Sequence, residues 1–207
     1  FKDFNCEIIV DFNNEKIIYP IDKGLIVNER QTCNFSDNEN FVVLECVHRL
    51  LKKGYKPSHI EIEKRWSLGH LQKSGRADIC VMNATGNDVL FIIECKTYGD
   101  EFDKELKILK FDGGQLFSYY QQEKSAKWLM LYASNYENGT ISHQAKTIPV
   151  FDTEDILEKS KKNKSIDLYE NSSSKEKAFE TWINTYNQKM YDDLIFSEDT
   201  IAYNIGE

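Results

Sequence analysis

The segment VLFIIECKTYG, residues 89–99, constrains the fold of this chain more than any other. Its first five residues are all apolar, which indicates a strand buried on both faces, yet the run ends directly in Glu94, Cys95 and Lys96. Side chains alternate along a strand, so Glu94 and Lys96 project to one side and Cys95 to the other. Because an unpaired buried charge costs several kcal/mol, the sequence predicts a polar cleft at the end of this strand.

A second strand, GRADICVMN at residues 75–83, precedes this segment and is joined to it by the turn ATGND. Asp78 lies on that strand, with fifteen residues between it and Glu94, so antiparallel pairing across the turn can bring the two carboxylates together. Two carboxylates within a few ångströms repel each other unless a proton or a cation lies between them. The hairpin therefore predicts an acidic pair that needs a further partner.

A divalent metal ion would be such a partner. Oxygen ligands from Asp78 and Glu94, completed by waters, suit Mg²⁺ or Mn²⁺. Lys96 beside that ion could orient a water molecule, help to deprotonate it and stabilise charge on a phosphorus atom, which is the outline of a phosphodiester hydrolysis site. The alternative is a salt-bridged strand end without catalytic function.

The first third of the chain predicts a hairpin and a helix. Two β-branched runs within residues 7–20 flank Asn13-Asn14, which is typical of a β-hairpin. A helix is expected to begin at Ser36, which forms a capping box with Glu39, and to stop at Gly54. The residues expected on its apolar face are Phe41, Leu44, Val47, His48 and Leu51.

Further strands and helices follow in mixed order. HIEIEKRWSL alternates like a strand, and the helical segment that starts near Lys104 is interrupted at Gly113-Gly114. KWLMLYAS and ISHQAKTIPVF supply two more strands. This order favours an α/β or α+β fold in which helices pack on a mixed β-sheet.

Composition divides the chain into three parts. Residues 1–156 are expected to form one domain, with its core at about 34–150. Residues 157–177 are rich in Lys, Ser and Asn and indicate a linker or mobile loop. Residues 178–207 are interpreted as a helical connector, because Phe179, Trp182, Tyr186 and Met190 fall on one helical face.

The net charge of −8 argues against nonspecific nucleic-acid binding, for which a basic protein is expected. The segment from His48 to Arg76 is an exception, since it has eight Lys and Arg residues against two Glu residues. It could contact a polyanion, or its charges could belong to solvated helix and strand faces. His48 and His70 are interpreted as phosphate contacts or surface residues rather than metal ligands.

The cysteines and the apolar runs indicate the cellular environment of the protein. Five cysteines without a Cys-x-x-Cys pair indicate buried thiols in a reducing environment. No apolar run approaches the roughly 18 to 20 residues that span a bilayer, and the first residues lack the pattern of a signal peptide. We therefore expect a soluble protein with no membrane partner.

GRADICV and FIIECKTYG together resemble the PD-(D/E)xK nuclease superfamily, with Asp78 as the first acidic residue, Glu94-Cys95-Lys96 as its E-x-K, and Ala77 in place of the proline. The chain is more specifically similar to the nuclease domain of type I restriction enzyme R subunits. That likeness rests on Gly54-Tyr55, Arg76-Ala77-Asp78 and the Glu-Cys-Lys strand. Gln115 and Tyr119 resemble the Gln-x-x-x-Tyr motif of the RecB-like branch, and their spacing puts both on one helical face.

The resemblance implies a restriction-endonuclease-like fold and Mg²⁺- or Mn²⁺-dependent cleavage of double-stranded DNA. It implies that Asp78, Glu94 and the backbone carbonyl of Cys95 bind the metal, and that Lys96 positions the attacking water. Gln115 and Tyr119 would position the DNA or Lys96. The family also has an acidic residue in its first helix, for which Glu39 is the first choice and Glu45 the rival.

The same resemblance extends to partners. The last residues look like the connector of fused restriction-methylation enzymes, and this chain has no phosphate-binding loop, so methyltransferase, specificity or motor parts would lie outside it. A restriction enzyme would act in the cytoplasm of a prokaryotic cell. Two alternatives stay open, a catalytically inactive nuclease-fold module for DNA binding or assembly, and a DNA repair nuclease of the same superfamily.

Overall fold

The computed structural model describes residues 1–66, 75–112 and 114–149, which form eight strands and three α-helices. The strands are β1 (Ile9–Asp11), β2 (Lys16–Ile18), β3 (Ile26–Val27), β4 (Ile60–Arg65), β5 (Arg76–Met82), β6 (Val89–Cys95), β7 (Trp128–Glu137) and β8 (Thr140–Pro149). The helices are α1 (Asn38–Lys52), α2 (Asp100–Asp112) and α3 (Gly114–Tyr120). The fold is α+β.

A mixed sheet of six strands in the order β3-β4-β5-β6-β7-β8 forms the centre of the described part. β3 pairs with β4, and β6 with β7, in parallel, while the other neighbours are antiparallel. β1 and β2 form a separate two-stranded antiparallel sheet. The predicted mixed sheet, the hairpin within residues 7–20 and the β5–β6 hairpin are confirmed.

β6 is the most enclosed strand, since all seven of its residues are buried. It lies between β5 and β7, and helices cover both faces of the sheet, which is why its sequence is apolar without alternation. Phe91, Ile93 and Cys95 pack into the core beneath α1, whereas Ile92 packs into a second core beneath α2 and α3. Cys95 therefore turns into the core, as the alternation predicted.

The N-terminus of α1 differs from the prediction. Asp37 is the N-cap, and its carboxylate accepts a hydrogen bond of 2.9 Å from the backbone N–H of Glu39. The Ser36 hydroxyl instead donates to the side chain of Asn34. The predicted capping box is wrong because the helix begins one residue later, with Asp37 as the N-cap, and this leaves the Glu39 side chain able to contact other residues.

The buried face of α1 is also rotated from the predicted one. Phe41 is 38% exposed and its ring packs against Phe35, with 5.1 Å between centroids, rather than against the sheet. Leu44 is half-buried and His48 is exposed. The apolar residues of α1 that are buried against the sheet side are Val42, Val43, Cys46, Val47, Leu50 and Leu51.

The predicted interruption of the long helical segment is confirmed. α2 ends at Asp112, and α3 begins at Gly114, whose φ of 53° lies in the left-handed region that favours glycine. The break lets α3 take its own direction against β5, β6 and β7. α3 carries both residues of the Gln-x-x-x-Tyr motif.

The predicted linker at residues 157–177 and the predicted connector at residues 178–207 lie outside the described residues, as do His70, Lys73 and the last two residues of the final predicted strand. The domain boundaries stay predictions. All five cysteines are free thiols, but the predicted burial holds only for Cys46, Cys80 and Cys95, whereas Cys6 and Cys33 are half-buried. In the part of the chain that the structure describes, no helix has the length and apolar character needed to cross a membrane.

Candidate active site

Two buried carboxylates lie side by side on the central hairpin. Ile79 on β5 pairs with Ile93 on β6, so the antiparallel register puts Asp78, one residue before Ile79, opposite Glu94, one residue after Ile93. The side chains are almost fully enclosed, with Asp78 3% and Glu94 2% exposed. Asp78 Oδ2 also accepts a hydrogen bond of 2.7 Å from the backbone N–H of Cys95, which fixes the orientation of the carboxylate.

Lys96 connects this pair to α1. Its Nζ donates to Glu94 Oε1 at 2.6 Å, to the carbonyl oxygen of Cys95 at 2.9 Å and to Glu39 Oε2 at 3.3 Å. Its backbone N–H donates to the Tyr132 carbonyl on β7, which continues the sheet pairing past the end of β6. The ammonium therefore contacts two carboxylates and one main-chain oxygen at the end of the buried strand.

Glu39 and Glu45 take different partners. Glu39 reaches Lys96, whereas Glu45 Oε1 lies 2.6 Å from Arg49 Nη2 and Glu45 Oε2 accepts a hydrogen bond from the Tyr132 hydroxyl. Arg49 Nε donates to the same hydroxyl at 3.0 Å, which closes the cluster. The helical acid beside the β5–β6 carboxylates is therefore Glu39.

Gln115 and Tyr119 approach the site from α3. Gln115 Nε2 donates to the Tyr119 hydroxyl at 3.4 Å, and that hydroxyl donates to the Arg76 carbonyl at 2.7 Å. Arg76 begins β5, two residues before Asp78. Burial, followed by the negative charges of Glu94 and Asp78, raises the pKa of the Tyr119 phenol far above its ordinary value, so it stays protonated and acts as a donor.

Two residues that hold Tyr119 were not identified from the sequence. The Trp66 ring stacks on the Tyr119 ring with 5.7 Å between centroids, and the Trp66 indole N–H donates to Glu123 Oε2 at 3.1 Å. Gly75 is packed so closely that a Cβ atom there would lie 2.5 Å from Tyr119 Cε1. No local signal marks these contacts, because they join residues more than forty positions apart.

The pKa values of the three charged groups at the end of β6 are shifted by burial and by one another. Burial, followed by the charge of Asp78, raises the pKa of Glu94 to about 8, and burial raises the pKa of Asp78 to about 6. Burial disfavours the Lys96 ammonium, but the Glu94 and Asp78 carboxylates outweigh it and raise the pKa of Lys96 above its ordinary value. At neutral pH Lys96 is therefore a cation and a hydrogen-bond donor.

One oxygen in this cluster lacks a partner. Glu94 Oε2 is buried and makes no hydrogen bond in the described part of the chain. An orphaned buried carboxylate oxygen costs free energy, and a cation would satisfy it. Among residues 1–66, 75–112 and 114–149, no group of three His, Cys, Asp or Glu side chains could hold a metal on its own. A cation at Glu94 would therefore need main-chain and water oxygens as well.

These pKa shifts predict how stability depends on pH. Both carboxyls have folded-state pKa values above those of the unfolded chain, so the unfolded chain releases their protons first as pH rises. Their contribution to stability is complete below about pH 4 and is lost as pH rises toward 8. We expect the metal-free protein in EDTA to lose a few kcal/mol of unfolding free energy from these groups over that range.

Urea denaturation of the wild type and of Glu94→Gln at several pH values measures this effect. Glutamine removes the titrating group and keeps the side-chain volume. The unfolding free energy of the variant is therefore expected to increase relative to that of the wild type as pH rises from 4 to 8. If the difference in unfolding free energy between the two proteins stayed constant over that range, burial would not shift the Glu94 pKa.

Four of the eight basic residues in the segment from His48 to Arg76 form ion pairs with acidic residues. Arg65 pairs with Glu29, which lies more than thirty positions away, and Arg76 lies 3.9 Å from the buried Glu63 carboxylate. Among the described residues of this segment, the other ion pairs are Arg49–Glu45, Lys64–Glu61 and Lys64–Glu123. These pairs favour the interpretation that the charges belong to structured faces over that of an open polyanion surface.

Comparison with known proteins identifies the family. No curated protein matches the chain. A sequence model of the family described as type I restriction enzyme R protein N terminus matches residues 38–147, which is more than half of the chain. The matched part runs from the first residue of α1 into β8 and includes every residue of the cluster described above. The chain belongs to the type I restriction enzyme R protein N-terminal family.

Proposed function

We propose that this chain is a PD-(D/E)xK nuclease domain that hydrolyses DNA phosphodiester bonds with Mg²⁺ or Mn²⁺. The observation that carries the proposal is the enclosed cluster of Asp78, Glu94 and Lys96 at the end of β6. There, one carboxylate oxygen of Glu94 has no hydrogen-bond partner among the described residues, and both carboxyl pKa values are raised. Clusters of buried, perturbed titratable groups are typical of catalytic sites.

The residues present fit a hard divalent cation. Asp78, Glu94 and the Cys95 carbonyl offer only oxygen, which Mg²⁺ and Mn²⁺ prefer, and Mg²⁺ commonly uses one or two carboxylates and keeps several waters. When bound, the ion would supply Lewis-acid stabilisation of charge on the phosphate. Lys96 Nζ contacts Glu94 and the Cys95 carbonyl, so it would have to give up those contacts to a bound ion.

Lys96 would then act on the attacking water. Its raised pKa favours a hydrogen-bond donor that orients the water and stabilises negative charge on the phosphate, rather than a base. Glu39, already 3.3 Å from Nζ, would hold the ammonium in position once Glu94 is taken by the metal. Glu39 is thus a positioning residue, and Glu45, bound to Arg49 and Tyr132, has no part in this proposal.

Gln115 and Tyr119 would position the start of β5. The Tyr119 hydroxyl holds the Arg76 carbonyl, and the ring is clamped by Trp66 and Gly75, so the backbone that leads to Asp78 is fixed from the α3 side. The Gln115 amide contacts the same hydroxyl and has donor capacity left for a DNA phosphate.

The family description names the R protein of a type I restriction enzyme, and from it we propose the wider setting. Double-stranded DNA would be the substrate, and the specificity, methyltransferase and motor functions would belong to domains or subunits outside this chain. The enzyme would act in the cytoplasm of a prokaryotic cell. Residues 1–156 would be the nuclease domain, and residues 178–207 the connector to the next domain.

Calorimetric titration with Mn²⁺ and cleavage assays test the proposal together. We expect one Mn²⁺ ion to bind per chain. For the cleavage assays, linear, supercoiled and branched duplex DNA is incubated with the full chain in Mg²⁺ and in EDTA. Cleavage in Mg²⁺ only would support a metal-dependent nuclease, and preference for branched DNA would favour a repair enzyme. Absence of both Mn²⁺ binding and cleavage would overturn the proposal.

One observation favours a catalytically inactive module as the second candidate. Lys96 already neutralises Glu94 and satisfies the Cys95 carbonyl, so the cluster is largely paired without a metal ion. A module of this kind would bind DNA or another subunit and would give no heat on titration with Mn²⁺. The same calorimetric experiment therefore separates the two candidates.

A further inference from the structure

An open groove of about 680 Å³ adjoins the candidate active site. It lies between α1, the end of the β7–β8 hairpin and the residues that follow β6, and we call it the α1–β7 groove. Its lining residues are Ile8, Val10, Asn38, Phe41, Val42, Leu44, Glu45, His48, Thr97, Tyr98, Ser134, Asn135, Tyr136 and Ile141. Its size is ample for a nucleotide and within the range of ordinary ligand sites.

The groove shares its wall with the cluster around Lys96. Asn38 immediately precedes Glu39, and Thr97 and Tyr98 immediately follow Lys96. The ion pair between Glu39 and Lys96, 3.3 Å long, joins these two walls. The groove is therefore lined by residues adjacent in sequence to both members of this ion pair.

The lining has the chemistry that recognises a nucleobase. Tyr136 is 72% and Tyr98 49% exposed, and together with Phe41 they offer aromatic faces for stacking. Asn38 and Asn135 add amide groups that can donate to and accept from a base edge. Among the described lining residues the one carboxylate is that of Glu45, which is paired with Arg49 and Tyr132, so it does not oppose a polyanion strongly.

We propose that the α1–β7 groove binds an unstacked nucleobase beside the scissile phosphate, so that the preferred substrate is DNA with an unpaired nucleotide next to the cleavage position. This inference rests on the proposed nuclease function and adds the class of substrate. The phosphate lies at the polar end near Lys96, and the base stacks on Tyr98 or Tyr136. A paired base within a duplex cannot expose its face to these rings, which is why the unpaired nucleotide is required.

Binding of short duplexes tests the proposal without cleavage. Fluorescence anisotropy in EDTA compares a perfect duplex, a duplex with a single unpaired nucleotide, and the same duplex with that nucleotide made abasic. The wild type is expected to prefer the unpaired base by about tenfold over the other two, which is the order of one aromatic stacking contact. Tyr98→Ala with Tyr136→Ala is expected to abolish the preference, and the Phe substitutions at both positions to keep it.

The outcomes distinguish this proposal from the function on which it rests. Equal binding of all three duplexes by the wild type, or an unchanged preference in the double Ala variant, overturns the groove assignment even if Mg²⁺-dependent cleavage is found. A preference that depends on the rings but is not followed by cleavage supports base binding and counts against the nuclease. Loss of thermal stability in the Ala variant, with no base preference in the wild type, would mean that a protein segment occupies the groove and would also overturn the assignment.

Discussion

Lys96→Met is expected to reduce DNA cleavage by about 10³-fold while the fold and the binding of Mn²⁺ persist. Removing a positioned donor or proton-transfer group commonly costs about 10²- to 10⁴-fold in rate. Methionine keeps much of the length and apolar stem of lysine, and the Lys96 side chain is 14% exposed, so the change leaves little space unfilled. The affinity for Mn²⁺ is expected to stay equal or to increase, because the ammonium that now contacts Glu94 and the Cys95 carbonyl is gone.

Single-turnover cleavage and calorimetric titration with Mn²⁺ check the two parts separately. Lys104→Met is the matched control, because Lys104 is well exposed and its pair with Glu101 is long, at 3.9 Å. The control should leave cleavage unchanged. If Lys96→Met cleaved DNA at the wild-type rate, Lys96 would have no part in the hydrolysis. A large loss of Mn²⁺ affinity in this variant would mean that Lys96 contributes to metal binding rather than to the position of the water.

Asp78→Asn is expected to weaken Mn²⁺ binding at least about 100-fold and to abolish cleavage, while the metal-free protein becomes no less stable. Loss even of an outer partner of a metal ligand commonly costs 10- to 100-fold in affinity, and a direct ligand should cost more. Asparagine keeps the oxygen that accepts from the Cys95 N–H at 2.7 Å. It also removes a fully buried charge whose pKa is raised by burial, so folding loses a desolvation penalty.

Titration calorimetry, cleavage in Mg²⁺ and urea denaturation in EDTA give the three readouts. Asp103→Asn in the first turn of α2 is the control, because its side chain is exposed and lies in no ion pair of the described residues. It should match the wild type in all three. If Asp78→Asn bound Mn²⁺ with the wild-type affinity, the β5–β6 carboxylates would not be the metal site.

The sequence was most informative where local periodicity and strand register decide the structure. The apolar run of β6 and its charged end identified an interior strand with a polar terminus. The turn after β5 indicated that pairing can bring Asp78 and Glu94 together, but not the register shift between Val81 and Met82. These features depend on neighbours within about twenty residues, and alternation along a strand is strictly periodic. Cys95 accordingly lies in the core and Glu94 in the cleft.

Long-range contacts could not be predicted in the same way. The choice between Glu39 and Glu45 depends on the N-cap at Asp37 and on Arg49 and Tyr132, which hold Glu45. The neutralisation of Arg65 by Glu29 likewise joins distant segments. Glu45–Arg49 is an i,i+4 pair of α1 that the sequence can indicate. The contacts of Glu45 with Tyr132 and of Arg65 with Glu29 are selected by tertiary packing, and no residue pattern marks them.

The complete enclosure of β6 has a consequence for hydrogen exchange. The strand that carries Glu94 and leads into Lys96 is buried along all its length between two cores, so its opening to solvent requires the packing of both cores to be lost. The backbone amides of β6 are therefore expected to exchange with solvent only through global unfolding, and to be among the slowest to exchange in the described part of the chain.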